Sequence, residues 1–153
     1  MAAAGWPPHR PPSGLTELWQ HDVTHLSELP GVRAHIRTVL AGHHLSAPAP
    51  RDRVEQFVLV ADEIISNALR HGGVPVQLRL SADQTIWLVA VTDHAPAVPP
   101  TPAVGRAPGG GGYGLYMVAD LSDAHGWHRQ NHSKTVWAVV VSKGAGHPGN
   151  APG

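Results

Sequence analysis

At 153 residues with 42% apolar and 14% charged content, the chain is sized for one domain with a single core and is too poorly charged to be a disordered acidic or basic tail. Its 11 Lys and Arg offset 11 Asp and Glu, so it lacks the excess of cations that phosphate-backbone binding needs, and no nucleic-acid partner is expected. The absence of cysteine excludes disulfides, thiol catalysis and thiolate zinc sites. It fits a reducing compartment, and with no apolar run near about 20 residues and no secretory signal at Met1–Pro8, a cytoplasmic location without membrane partner is expected.

Residues 1–14, with Pro7, Pro8, Pro11 and Pro12, read as a flexible or polyproline-like tail, and the Gly/Pro-rich residues 144–153 read the same way. The folded domain is therefore expected over 15–143. Val32, Ile36, Val39 and Leu40 have helical spacing over 31–41, and Gly42 stops that helix. A second, longer helix is expected over 52–71. Val54, Phe57, Val58, Ala61, Ile64, Ile65, Ala68 and Leu69 trace one face, Asp52 serves as N-cap with Glu55 completing a capping box, and Gly72-Gly73 ends it. Val74 to Leu80 alternates as a half-buried strand, 81–84 is a turn, and 85–92 returns as the second arm of a hairpin. From 93 to 112 periodicity disappears into proline and glycine, the pattern of a lid over a site. A helix over 114–123 and strands at 126–130 and 134–142 complete the chain, the last an apolar run suited to a central strand. This order predicts an α+β, two-layer sandwich: a mixed, mostly antiparallel sheet with helices on one face.

Four features carry chemistry. Glu63, Asn67 and His71 recur every four residues and form a polar stripe beside the apolar face of the long helix. A carboxylate there can accept a proton, and an amide oxygen one turn away can ligate a hard cation such as Mg²⁺. Asp93, at a strand end before the long loop, can accept from an exocyclic amino group such as that of adenine. The run Gly109–Gly114 opens a helix, where backbone N–H groups favour phosphate. Thr135 offers a hydroxyl early on the final strand. Singly, each also fits a plainer role: a solvated helix face, a turn aspartate, a flexible linker, a β-branched strand residue. The 12 histidines show neither HExxH nor a completing carboxylate and read as scattered imidazoles.

Together and in this order the motifs resemble those of the GHKL superfamily of Bergerat-fold ATPases, and within it the small anti-sigma-factor serine kinases. Residues 61–72 (ADEIISNALRHG) are similar to the family's N box, 91–93 (VTD) to the start of its G1 box, 112–118 (GYGLYMV) with Leu121–Asp123 and Gly126-Trp127 to its G2 region, and 134–137 (KTVW) to its closing strand. The resemblance spans about 30–142. It implies that Glu63 is the general base, that Asn67 ligates Mg²⁺ beside the ATP phosphates, and that Asp93 reads the adenine amino group with support from Thr135. The segment Gly110, Gly111, Gly112, Tyr113, Gly114 and Leu115 would hold phosphates, with Arg70 and His71 nearby. Ala95 departs from the family's glycine two residues after the G1 aspartate, and Pro96 removes a backbone donor; both weaken nucleotide affinity. The lid has no Lys or Arg clamp other than Arg106. The expected function is an ATP- and Mg²⁺-dependent serine/threonine kinase that doubles as an anti-sigma factor. Its partners would be a sigma factor and a small antagonist carrying the phosphoacceptor serine, with homodimers common in the family. The alternative is a module that sequesters a partner with little or no nucleotide chemistry. A third reading, the ATPase part of a histidine kinase, lacks a preceding helix pair with a phosphoacceptor histidine.

Overall fold

A computed structural model describes residues 6–43, 49–96 and 113–142 (the side chains of 113, 114 and 116 excepted), and these described residues form five strands and three α-helices. In chain order they are β1 (Thr16–Val23), a 3₁₀ turn (Leu26–Glu28), α1 (Leu29–Gly42), α2 (Arg51–His71), β2 (Val76–Ala82), β3 (Ile86–Asp93), α3 (Tyr113–Leu121), β4 (Ala124–Arg129) and β5 (Lys134–Val141). The strands form one sheet in the order β1-β2-β3-β5-β4. Every described pairing is antiparallel, so the sheet is not mixed as expected. The α+β sandwich itself is as expected.

The helices cover one face. Alternate residues of the central strands, Val89 and Val91 of β3 with Val136, Ala138 and Val140 of β5, share a buried cluster with Ile36 of α1, Phe57, Ile64 and Ile65 of α2, and Leu115 and Val118 of α3. Helix α2 is the spine of this layer, packed against α1, α3, β2, β3 and β5. Contact on several sides explains why Val60 and Ser66 are buried in addition to the residues of the expected apolar face. Two ion pairs tie α1 to α2: Arg33 to Asp62 at 2.8 Å, and Arg37 to both oxygens of Glu55 at 2.8 and 2.9 Å. The expected cap differs. Pro50 occupies the N-cap of α2, Asp52 lies in the first turn with its Oδ1 accepting from Arg53 N, and Glu55 pairs with Arg37 instead of completing a capping box.

Strand β1 had no counterpart in the sequence expectations. Of its residues only Val23 is buried, so an edge strand with polar groups on both sides shows no period-2 signal. Its register against β2, from Thr16 opposite Ala82 to Val23 opposite Val76, is what defines it.

Residues 6–14, expected as part of a free tail, are folded onto the sheet. Trp6 is 5% exposed and tilts against the His125 ring, with centroids 4.7 Å apart. The carbonyl of Pro7 accepts from Trp127 N at 3.1 Å, on the free edge of β4. Trp127 Nε1 donates to Trp6 O and Trp137 Nε1 to His9 O, at 3.0 and 2.7 Å. The segment thus wraps the β4 edge, which would otherwise present unpaired backbone groups. Leu15 then packs on the smaller outer-face cluster of Leu88, Ala90, Trp137 and Val139. Gly126 makes the close approach possible: a Cβ there would lie 2.9 Å from the Trp137 ring and 3.0 Å from Pro7 O.

Candidate functional site

The polar stripe of α2 and the end of β3 converge. Glu63 and Asn67 are half-buried beside the apolar face, and neither side chain hydrogen-bonds to a described residue. Burial raises the Glu63 carboxyl above its ordinary value of 4.5, neighbouring Asp62 pushes it the same way, and Arg70 opposes both. A partly desolvated carboxylate with a raised affinity for protons and no hydrogen-bond partner among the described residues suits proton transfer. Arg70 and His71 are exposed at the C-terminal end of the helix.

One residue beyond His71 the backbone meets Asp93. A Cβ on Gly72 would fall 2.4 Å from Asp93 Cγ and 2.6 Å from its Oδ2. Gly72 has φ −103° and ψ 169°, an extended conformation open to any residue, so it is clearance and not backbone freedom that calls for glycine. The step from Glu63 to Gly72 is about 14 Å along a helix axis.

Asp93 is 1% exposed and heavily bonded. Its Oδ1 accepts from Ala95 N at 2.8 Å and from Lys134 Nζ at 3.1 Å, and its Oδ2 lies 3.0 Å from Lys134 Nζ. The same ammonium donates to Ala95 O at 3.0 Å. Ala95 therefore closes the turn through its backbone.

The support expected from Thr135 is not found. Asp93 stands opposite Lys134 in the β3–β5 register, and Thr92 opposite Thr135. Strand alternation sends the first pair toward the helices and the second to the outer face, where the two hydroxyls meet at 2.7 Å. There Thr92 and Thr135 line a cavity of about 360 Å³ together with Arg79, Ser81 and His128. Lys134 stands in the closing motif without a role that the sequence alone assigns; the parity of β5 relative to Asp93 supplies it.

The glycine-rich start of α3 is partly visible. Gly110, Gly111 and Gly112 lie outside the described residues, as do 97–112 of the expected lid and 144–153 of the expected C-terminal tail. The backbone of Tyr113 and Gly114 forms the first turn of α3. The Leu115 side chain, 1% exposed, belongs to the core and not to a ligand surface. Gln56 of α2 donates through Nε2 to the carbonyl of Leu121, so the far end of α3 is fastened to the helix that carries Glu63. Among the described residues no group of three or more His, Asp or Glu is placed to hold a metal ion. No described helix is long and apolar enough to cross a membrane.

No curated protein matches significantly. Among solved structures, one described as the RsbU and RsbW domains of Rv1364c from Mycobacterium tuberculosis superposes with a TM-score of 0.55 at 18% identity. The match covers 83% of this chain and 34% of that one, so the chain spans about a third of its structural relative, and the likeness establishes the fold. The profile described as the histidine kinase-like ATPase domain matches residues 26–140, which run from the 3₁₀ turn into β5 and include α2, Asp93 and α3. An acid–amide stripe on α2 ending at a buried strand-end aspartate is thus set in the sheet and helices of that profile, and the chain belongs to the GHKL family of histidine kinase-like ATPases.

Proposed function

We propose that this ATPase-family chain is a protein serine/threonine kinase that acts on a small antagonist protein and holds a sigma factor in one of its states. The observation that carries the reading is Glu63: a half-buried carboxyl with raised proton affinity and no hydrogen-bond partner among the described residues, one turn from the Asn67 amide. The sequence resemblance to anti-sigma-factor kinases supplies the partner class. An RsbW domain in the similar structure supports it.

In this mechanism Glu63 accepts the proton of a substrate serine as its oxygen attacks the γ-phosphorus of ATP, and ADP departs with the bond to the β–γ bridging oxygen broken. Bound Mg²⁺ would supply charge neutralisation at the phosphates. Asn67 would share in holding that ion, Asp93 would accept from the adenine amino group, and the backbone at the start of α3 would face the phosphates. Arg70, beside Glu63, holds back the rise in its proton affinity and so keeps the base available.

The test is transfer of labelled γ-phosphate to a purified small antagonist protein. Glu63→Ala is expected to lower transfer at least a hundredfold while Mg-ATP binding persists; undiminished transfer would remove Glu63 as the base. Since burial lifts Glu63 above its ordinary 4.5, transfer by the wild type should decline as the pH falls through a value higher than that of an exposed glutamate. A second reading, a partner-sequestering module with weak nucleotide chemistry, draws on the occupied state of Asp93. Calorimetric titration with Mg-ATP separates the two, because the module predicts neither heat nor a thermal shift.

A further inference from the structure

The carboxylate assigned to base reading is already in use. Asp93 Oδ1 accepts from Ala95 N and from Lys134 Nζ, and the same ammonium lies 3.0 Å from its Oδ2. Lys134 is itself 3% exposed, and the carbonyl of Ala95 takes a further proton of its ammonium. The Gly72 backbone packs against one side of the carboxylate and leaves no room there even for a methyl group. A base amino group therefore meets an acceptor whose two oxygens are already paired with the chain's own cation. Where the resemblance implies a hydroxyl, able both to donate and to accept, the register supplies an ammonium that can only donate.

A purely structural explanation of the pair is weak. Two buried charges lose hydration that their attraction recovers only in part, and apolar residues of equal volume are often at least as stabilising. The pair also lies at the mouth of the β3–β5 ladder, at its last register position, where a lysine stem can swing outward without breaking a strand interior. We propose that Lys134 is an internal competitor for the nucleotide base: its ammonium holds Asp93 in the base-free state and must release at least one carboxylate oxygen before adenine can be read. Nucleotide affinity is then set by the strength of an intramolecular ion pair as well as by contacts to the ligand. The occupancy of the site becomes sensitive to anything that moves residues 93–96 or the start of β5. This inference rests on the reading of Asp93 as the base acceptor.

The experiment compares Mg-ATP affinity by calorimetry for the wild type, Lys134→Met and Asp93→Asn, each checked for folding by circular dichroism. Methionine keeps the unbranched stem and removes the competitor, so Lys134→Met is expected to bind at least tenfold more tightly, and Asp93→Asn to lose most of the affinity. If the wild type binds, Asp93→Asn does not, and Lys134→Met is no tighter than wild type, the competitor is overturned while the base-site reading stands. If Asp93→Asn binds as well as wild type, or nothing binds, the base-site reading falls and the inference with it. Should Lys134→Met fail to fold, the wild type answers directly. Its buried Lys134 ammonium is expected to give a slowly exchanging ¹H–¹⁵N signal that Mg-ATP shifts or broadens. A signal unchanged at saturation overturns the proposal.

Discussion

The two faces of the sheet treat neighbouring residues of one motif in opposite ways. On the inner face the ends of β3 and β5 bring Asp93 and Lys134 together as a buried ion pair; on the outer face the residues beside them, Thr92 and Thr135, meet through their hydroxyls. The chemistry differs because a strand sends successive side chains to opposite sides, so a one-residue change of reference exchanges an ammonium for a hydroxyl. A short motif read along the chain names both residues and does not say which one faces the ligand.

The contrast can be broken from the inner side first. Asp93→Ala leaves the Lys134 ammonium buried without its counter-charge and Ala95 N without its acceptor. A loss of about 3–5 kcal/mol in unfolding free energy is expected, measured by urea titration. Gly72→Ala acts on the same carboxylate sterically: its new methyl would overlap Asp93, and either the end of α2 or the strand end must shift. The expected cost is about 1–3 kcal/mol, with weakened Mg-ATP binding because Asp93 is displaced. The outer side should be far more tolerant. Thr135→Val removes one member of a hydroxyl pair and should cost about 1 kcal/mol while leaving Mg-ATP affinity within twofold of wild type. A loss of nucleotide binding in that variant would return Thr135 to the role its motif implies and would place the pocket on the other face.

How much of this was legible in the sequence follows the same division. Helix α2 was readable nearly to its ends because its apolar face repeats at helical spacing, and Glu63 and Asn67 could be placed beside that face for the same reason. The hairpin of β2 and β3 was readable from alternation and from the Asp83 turn, whose Oδ1 accepts from Thr85 N and Ile86 N. Strand β1 was not, since its partner is nearly 60 residues away and its own side chains are mostly exposed. The parity of β5 was hidden by an apolar run that fills both faces, so only pairing with β3 decides that Lys134 and not Thr135 joins Asp93. Gly72 was legible as a helix stop, yet what requires glycine there is a contact with a residue 21 positions later.

The proline-rich beginning of the chain has a practical corollary. Two tryptophans, 127 and 137, depend on carbonyls from residues 6 and 9. Shortening the protein to the limits suggested by low sequence complexity would strand both indole N–H groups and uncover the edge of β4. Such a trimmed chain would be expected to self-associate through that bared edge, and an oligomer observed with it would report on the trimming rather than on the protein.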